Sequence, residues 1–358
     1  MARGYFFSFK KRHGSRSFLW ALLIFTLILL TLFGASKVSD VRAEKHMAVI
    51  IEKAVASLEE EAEKINADCK LKEPLNSKSY ILIWLSSFNR KFEDSSEWVD
   101  LTSEQQYESA WRHNRILLSE RANKKIYPAS MAKIITALVI IENTKNFDKK
   151  ITIQAEDFNR FYFEGASIAG FSSGDTLTVR DLLYGLLIAS GSECTSALAR
   201  EVMGGEDNLV DKMNDKAEEI GMNKTHFTNP IGLHDKKNYS TVTDLALALD
   251  YAMRDIDFYS IITTQEYRTE AIDSAPKGLD VTSTLMQKKG LKFEFPDGDI
   301  LGGKTGYTSA AGQCLASSFI KGGEQFILVT AAAMPDNFRT QTLHIDDMLA
   351  VFDSVTVK

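Results

Sequence analysis

Apolar residues repeat with two different periods along the chain, which predicts strands near both ends and helices between them. Residues 80–85 form an unbroken apolar run typical of a buried strand, and residues 115–118 could be its hairpin partner. Later apolar segments predict three more strands and a closing helix, at 302–308, 313–320, 325–332 and 345–352. Strands at both ends of a helical middle predict an α+β fold in which the two ends pair into one sheet.

The predicted helices of the middle part carry N-terminal signals. Thr178 and Asp181 match a capping box ahead of an apolar helical repeat that must stop near Ser190. An earlier segment, from Ile134 onward, is apolar almost all round, which predicts a buried helix. Ser130 is therefore expected near the N-terminus of that buried helix.

The first 36 residues have the pattern of a segment that directs export. Residues 1–17 form a basic tail, and residues 18–36 an apolar run that is either an uncleaved signal anchor or a cleaved signal peptide. The run is longer than the usual core of a signal peptide, which favours the anchor. Because basic flanks stay in the cytoplasm, we expect a single-pass protein of the cell membrane whose remaining chain is extracytoplasmic.

A helical stalk is predicted over residues 41–72, between the anchor and the following domain. Apolar residues recur in steps of three and four over residues 47–65, and glutamates occupy much of the other face. The repeat is too short to decide between self-association through this helix and its packing on the next domain. Pro74 marks the expected boundary, and residues 78–353 are predicted to form the second domain.

Composition and charge argue against several classes of function. Hydrophobic residues make up 44% and charged residues 25% of the 358 residues, as in an ordinary globular protein. The net charge of −6, without a basic cluster beyond the first residues, argues against nucleic-acid binding. Cys69, Cys194 and Cys314 suggest no disulfide framework, and the histidines lack metal-ligand spacing, so neither a metal nor another cofactor is expected.

A serine and a lysine in the pattern S-x-x-K are candidates for a nucleophile and its base. The pattern occurs four times, but only Ser130 and Lys133 stand at the start of a predicted helix, where this spacing places both side chains on one face. A serine hydroxyl is a weak nucleophile, and a lysine that is kept neutral can take its proton. A helix cap followed by a surface lysine would explain the same pattern without any chemistry.

Two further motifs lie downstream. Residues 190–192, S-G-S, follow a predicted helix; a hydroxyl there could relay a proton, although a helix stop and a cap would also explain the triplet. Residues 304–306, K-T-G, lie in a predicted strand whose edge could hold an extended peptide and whose cation and hydroxyl could bind a carboxylate. A hairpin strand with a solvated lysine is the alternative.

In this order the three motifs resemble those of the serine D-alanyl-D-alanine carboxypeptidases, the low-molecular-mass penicillin-binding proteins. The similarity extends over roughly residues 80–352 and includes the segments 128–133, 174–179, 213–214, 227–233, 304–308 and 311–315. The resemblance implies a β-lactamase-like or transpeptidase-like α+β fold. Such a fold has a mostly antiparallel sheet flanked by helices and a helical subdomain.

The same resemblance implies a role for each motif residue. Ser130 would be the nucleophile, Lys133 its base and Ser190 the proton shuttle, and burial beside the cation of Lys304 would lower the pKa of Lys133. The oxyanion hole would consist of the backbone N–H groups of Ser130 and Tyr307. The substrate-binding residues would be Ser192, Lys304, Thr305, Gly306 and Tyr307, with Lys304 and Thr305 contacting the substrate carboxylate.

The implied activity is removal of the terminal D-alanine from peptidoglycan stem peptides ending in D-Ala-D-Ala, with β-lactam antibiotics as covalent ligands. A D,D-endopeptidase acting on cross-links would use the same groups, and a non-catalytic peptidoglycan-binding relative is the alternative outside enzymes. A β-lactamase is disfavoured because no E-x-x-L-N segment follows residue 190. Ser192 departs from the family pattern, where asparagine is common, and its shorter side chain reaches a substrate amide less well.

Overall fold

A six-stranded antiparallel sheet is the centre of the fold. The computed structural model describes residues 66–85, 115–159, 165–288, 290–337 and 340–358. The strands in these ranges are β1 Ala67–Cys69, β2 Ser79–Leu85, β3 Arg115–Glu120, β4 Lys150–Thr152, β5 Thr176–Thr178, β6 Glu266–Arg268, β7 Asp280–Thr282, β8 Glu294–Phe295, β9 Gly298–Thr308, β10 Gly312–Lys321, β11 Glu324–Ala333 and β12 Val355–Val357. The sheet has the order β3-β2-β11-β10-β9-β8, and β1-β12, β4-β5 and β6-β7 form separate pairs.

The sheet joins the two ends of the domain, as the sequence predicted. Strand β2 pairs with β3 on one side and with β11 on the other, and Leu82 lies opposite Leu328 in the β2–β11 register. Strands β10 and β11 form a hairpin, which closes where Lys321 pairs with Glu324. The fold class is therefore the predicted α+β arrangement.

The helices lie mainly between the early and late strands. They are α1 Lys133–Asn143, α2 Glu156–Asn159, α3 Val179–Leu187, α4 Ser192–Val202, α5 Glu206–Glu219, α6 Val242–Ala252, α7 Ile256–Ile262 and α8 Leu343–Ser354. The predicted capping box is present: the Asp181 backbone N–H donates to Thr178 Oγ1 at 3.0 Å, and the Thr178 N–H donates to Asp181 Oδ2 at 2.8 Å. These bonds set where α3 begins, and so where the S-G-S turn follows it.

Alternate residues of the central strands face two different apolar layers. Ile83 of β2 and Ile327 of β11 belong to the core that the sheet shares with the helices of the middle part. Phe319 of β10 and Phe326 of β11 instead stack on each other, and Phe319 also packs edge-on against Phe352 of α8. This alternation is the period-two pattern of a sheet covered on both faces, and each buried aromatic ring stabilises the fold by roughly 2 kcal/mol.

A short pair of strands joins residues near the two ends of the described chain. Residues Ala67–Cys69, which the sequence placed in the stalk of residues 41–72, form β1 and pair with β12 beyond residue 353. Residues Ala67–Lys358 accordingly form one unit. A three-residue strand shows too little periodicity to be recognised, and its partner lies at the other end of the chain.

The predicted basic tail of residues 1–17, the anchor of residues 18–36 and the helix of residues 47–65 lie outside the described residues. Within the described ranges, no helix combines the length and the apolar composition that a bilayer-spanning segment needs.

A buried histidine lies between α8 and the sheet. His344 is buried, and its Nδ1 is 3.0 Å from Gln313 Oε1. Gln313 Nε2 donates to the Gln341 carbonyl at 2.7 Å, so Gln313 presents its oxygen to the ring and Nδ1 carries the hydrogen. Burial lowers the pKa of His344 to about 4; the charge of Lys304 lowers it further, and Asp346 opposes both.

We expect this histidine to make the protein less stable in mild acid. The unfolded chain binds the proton at an ordinary pKa of 6.5 and the folded chain only at about 4, so stability is complete above pH 6.5 and falls as pH decreases towards 4. The loss is about 3 kcal/mol in the free energy of unfolding. The free energy of unfolding, measured with urea between pH 4 and 7, should depend less on pH in His344→Gln than in the unchanged protein. The exposed His226→Gln is the control, and an equal slope in all three proteins would contradict the assignment.

Candidate active site

Ser130 lies in a tight turn that leads into a buried helix. The 3-10 turn Ala129–Ala132 directly precedes α1, so Ser130 is close to the helix N-terminus, as predicted, but not in its regular part. Ala129 has φ of 46°, in the left-handed region that residues with a Cβ rarely adopt. Lys133, the first residue of α1, reaches back so that its Nζ is 3.4 Å from Ser130 Oγ. The predicted nucleophile and base therefore meet.

Lys133 also connects the first motif to the second. Its Nζ donates to the Ser190 carbonyl at 2.9 Å and lies 3.3 Å from Ser190 Oγ. Ser190 has φ of 66°, so both turns that contact the amine contain a non-glycine residue in left-handed conformation. One amine thus contacts both candidate hydroxyls, and a proton can pass between them through Lys133.

Burial shifts the pKa of this amine. Lys133 is 1% exposed, and its burial lowers its pKa to about 7, against the opposing charge of Glu193. Lys304 is fully buried, and its pKa is lowered well below the ordinary value, first by burial and then by the charge of Lys133. Burial is therefore the main cause of both shifts, and the charge of Lys133 adds to it at Lys304. Near neutral pH a large fraction of Lys133 is uncharged and able to act as a base.

Lys304 and Thr305 of the third motif are buried and form hydrogen bonds within the protein. Lys304 Nζ donates to the Thr305 carbonyl at 3.0 Å, and Thr305 Oγ1 donates to Thr284 Oγ1 at 2.6 Å. Neither residue lines the cleft that contains Ser130 and Lys133. The roles of Lys304 and Thr305 in binding a carboxylate stay predictions, because both polar groups are bonded within the protein.

Gly306 allows strand β9 to pass directly against the turn of the nucleophile. A Cβ atom built on Gly306 would lie 3.0 Å from the Ser130 nitrogen and 3.0 Å from Ala129 Cβ, closer than most real contacts. A residue without a side chain is therefore needed at this position. Tyr307, the next residue, lines the cleft and is 39% exposed.

A cleft of about 580 Å³ opens at Ser130. Four predicted site residues line it, namely Ser130, Lys133, Ser192 and Tyr307. Three other segments form the rest of its wall and carried no predicted role, residues 165–167, 231–234 and 308–310. One of these segments has a turn signal in the sequence, N-P-x-G at residues 229–232. Asn229 Oδ1 accepts hydrogen bonds from the backbone N–H groups of Gly232 and Leu233 and thereby shapes this turn.

The second motif contributes a buried hydroxyl to this cleft. Ser192 is the first residue of α4, is 1% exposed, and its Oγ has no hydrogen-bond partner among the described residues. The next residue, Glu193, is a buried carboxylate that the sequence analysis did not single out. In the sequence, a role for Glu193 is indicated only by its position directly after the S-G-S motif.

The turn, the buried amine and the cleft together define an active-site-serine enzyme of the penicillin-binding class. The profile of the D-alanyl-D-alanine carboxypeptidase family matches residues 108–334, and the chain belongs to that family.

Individual relatives agree with this assignment. D-alanyl-D-alanine carboxypeptidase DacF of Bacillus subtilis (strain 168) is 33% identical over 221 residues, which are 61% of this chain and 54% of that protein. The D-alanyl-D-alanine carboxypeptidase of Streptomyces sp. (strain K15) is 29% identical over 218 residues, 59% of this chain and 74% of that protein. The chain spans about half the length of several curated relatives that it matches.

A solved structure has the same fold. The crystal structure of the Streptomyces K15 DD-transpeptidase matches with a TM-score of 0.63 and 23% identity, over 80% of this chain and 98% of that chain. The β-lactamase-like, transpeptidase-like fold that the motifs implied is thereby confirmed.

The lowered pKa of Lys133 predicts how acylation depends on pH. Because the base must be uncharged, acylation of Ser130 by a fluorescent penicillin should fall about tenfold per pH unit below pH 7 and level off above it. Lys133→Met should lower the plateau at least about 100-fold. The exposed Lys145→Met is the control. A fall in the acylation rate that already begins near pH 10, or no fall at low pH, would contradict the role of Lys133.

Proposed function

We propose that this protein is a serine D-alanyl-D-alanine carboxypeptidase that trims peptidoglycan stem peptides during cell-wall biogenesis. The observation that carries the proposal is the buried amine of Lys133, 3.4 Å from Ser130 Oγ and 3.3 Å from Ser190 Oγ. Membership of the family supports the same activity.

The reaction uses groups that already contact one another. Ser130 Oγ attacks the carbonyl carbon of the penultimate D-alanine while its proton passes to Lys133. The peptide bond breaks, the leaving amine of the terminal D-alanine takes a proton through Ser190, and an ester remains on Ser130. Water then attacks the ester and gives a proton to Lys133, which passes it to Ser130 Oγ as the ester bond breaks and the shortened peptide leaves. β-lactams would acylate the same oxygen and release slowly.

Charge on the oxygen of the tetrahedral intermediate needs donors close to Ser130. The backbone N–H groups of Ser130 and Tyr307 are the proposed donors, and the close passage of Gly306 beside the Ser130 nitrogen supports this role. On the cleft wall, the unpartnered Oγ of Ser192 is the proposed contact for the substrate backbone. Its short reach favours a looser hold on that backbone than an asparagine would provide.

Mass spectrometry of muropeptide products tests this proposal. With purified pentapeptide muropeptides, the protein should release one D-alanine per stem, and Ser130→Ala should reduce the rate at least about 1000-fold. Ser172→Ala, a change at an exposed serine, should leave it unchanged. Conversion of cross-linked dimers to monomers would identify a D,D-endopeptidase instead. Absence of any product, together with absence of penicillin labelling, would identify a non-catalytic peptidoglycan-binding relative.

The N-terminal segment is proposed to hold this domain at the outer face of the cell membrane. Lys10, Lys11, Arg12 and Arg16 precede the apolar run of residues 18–36, and this arrangement supports a signal anchor with its basic end in the cytoplasm. The helix of residues 47–65 would then form a stalk, and self-association through it is a proposal that also rests on the sequence pattern.

Fractionation tests the anchor. The full-length protein should stay with membranes after alkaline carbonate washing and should be degraded by protease added to the outside of spheroplasts. A protein with residues 18–36 replaced by a cleavable signal peptide is the control, and it should become soluble. Release of the full-length protein by the wash, or an N-terminus beginning after residue 36, would contradict the anchor.

A further inference from the structure

The residue before Ser130 has a backbone conformation that needs support from its surroundings. Ala129 is buried and has φ of 46°. A residue with a Cβ is disfavoured in this region unless neighbouring groups hold it there. Lys133 Nζ is 3.4 Å from Ser130 Oγ, near the outer limit of a hydrogen bond. A small relaxation of the Ala129 turn would therefore separate the nucleophile from its base.

A second turn, residues 229–233, packs directly against this one. Gly232 has φ of 82°, and a Cβ atom built on it would lie 1.7 Å from the Ala129 carbonyl oxygen and 3.0 Å from the Ser130 nitrogen. The two backbones are thus in contact. Because the interior is closely packed, the position of Gly232 limits how far the Ala129 peptide unit can rotate.

The side chain of Asn229 determines the shape of the 229–233 turn. Asn229 is buried, and its Oδ1 accepts the backbone N–H groups of Gly232 at 2.8 Å and Leu233 at 2.9 Å. Its Nδ2 donates to the Leu233 carbonyl at 3.1 Å. One amide group therefore satisfies three backbone groups of the turn, and its removal would leave both N–H groups without this acceptor.

The 229–233 turn is also attached to the helix that begins with the base. Thr136 of α1, three residues after Lys133, donates from its Oγ1 to the Pro230 carbonyl at 2.6 Å. The start of the turn is thereby fixed to α1. Asn229 connects this fixed point to Gly232, so the turn can transmit the position of α1 to the Ala129 backbone.

We propose that Asn229 is a positioning residue: it holds Gly232 against the Ala129 carbonyl and thereby keeps Ser130 Oγ within reach of Lys133. The inference deepens the proposed function and rests on the acyl-enzyme chemistry given there. Asn229 acts through Gly232 and Ala129 and takes no part in the chemistry itself.

Three variants separate this role from a general contribution to stability. Asn229→Ala removes both polar groups, and Asn229→Asp keeps an oxygen acceptor for the Gly232 and Leu233 N–H groups. Asn238→Ala is the matched control. Asn238 is also buried, and its Nδ2 donates to the Leu233 carbonyl at 3.0 Å, but its Oδ1 has no hydrogen-bond partner among the described residues.

The first measurement is the rate of acylation of the full-length protein by a fluorescent penicillin at increasing concentrations, normalised to the molecules that label. It separates the acylation rate constant from the dissociation constant of the initial complex. Asn229→Ala should lower the rate constant about 10- to 100-fold and leave the dissociation constant within about twofold. Asn229→Asp should recover most of this loss, and Asn238→Ala should behave as the unchanged protein.

A merely structural role would reduce the fraction of molecules that label and leave their rate constant unchanged, which would overturn the proposal. A change in the dissociation constant alone would overturn it too, because Asn229 would then only shape the cleft wall. An equal loss in Asn238→Ala, or no recovery in Asn229→Asp, has the same meaning. If Asn229→Ala does not fold, Asn229→Ser, with a shorter acceptor, takes its place.

The second measurement tests the route through Ala129. Glycine adopts positive φ without the penalty of a Cβ, so a glycine at position 129 needs less support. Asn229→Ala combined with Ala129→Gly should acylate at least about fivefold faster than Asn229→Ala alone, whereas Ala129→Gly by itself should not accelerate the unchanged protein. Absence of this rescue overturns the proposal.

Failure of the proposed function would appear separately, as absence of acylation in the unchanged protein. In that case, NMR of the full-length protein with ¹³C-labelled alanine decides the role of Asn229. The Ala129 signal, assigned by Ala129→Gly, should leave the position typical of positive φ in Asn229→Ala and keep it in Asn238→Ala. An Ala129 signal that stays in place in Asn229→Ala overturns the proposal.

Discussion

The burial of one lysine amine is the interaction on which the rest of the site depends. Lys133 is tied to Ser190 and lies beside Ser130, in surroundings that strongly disfavour a charge. Had the amine been exposed, it would be protonated at neutral pH and Ser130 would lack a base. The apolar residues of α1 therefore contribute to chemistry as well as to packing, because they exclude water from its first residue.

Two lysines buried in an apolar interior limit which groups can surround them. Lys304 is fully buried, and a full charge there would cost several kcal/mol. The Lys304 amine donates to the Thr305 carbonyl. Among the described residues, no carboxylate lies within ion-pair distance of it. The lowered pKa values of both lysines are responses to this burial. Such shifted pKa values are typical of functional sites.

Backbone strain is concentrated at the same place. Ala129 and Ser190 both have positive φ, at a cost of order 1–3 kcal/mol each. The Ala129 turn persists because Gly306 and Gly232 pass so close to it that a side chain at either position would collide with Ala129. The fold thus holds the nucleophile in a conformation that an isolated chain would leave. Rigidity of this kind keeps Ser130 and Lys133 in contact before a substrate arrives.

Local sequence alone determined the long strands of the central sheet, the buried helices α1 and α3, where α3 begins, and which serine of four S-x-x-K patterns stands at the start of a helix. These features depend on the side-chain period and on caps within one turn, and the motifs Ser130–Lys133, 190–192 and 304–306 carried the family resemblance. Only the tertiary structure decided that Lys304 and Thr305 form hydrogen bonds within the protein, that β1 pairs with β12, and that Glu193 is buried against Ala169 and Gly170. The reason is physical: a pKa and a close approach of two backbones are set by groups 57 or more residues apart, such as Lys133 and Ser190, whose proximity has no local signature.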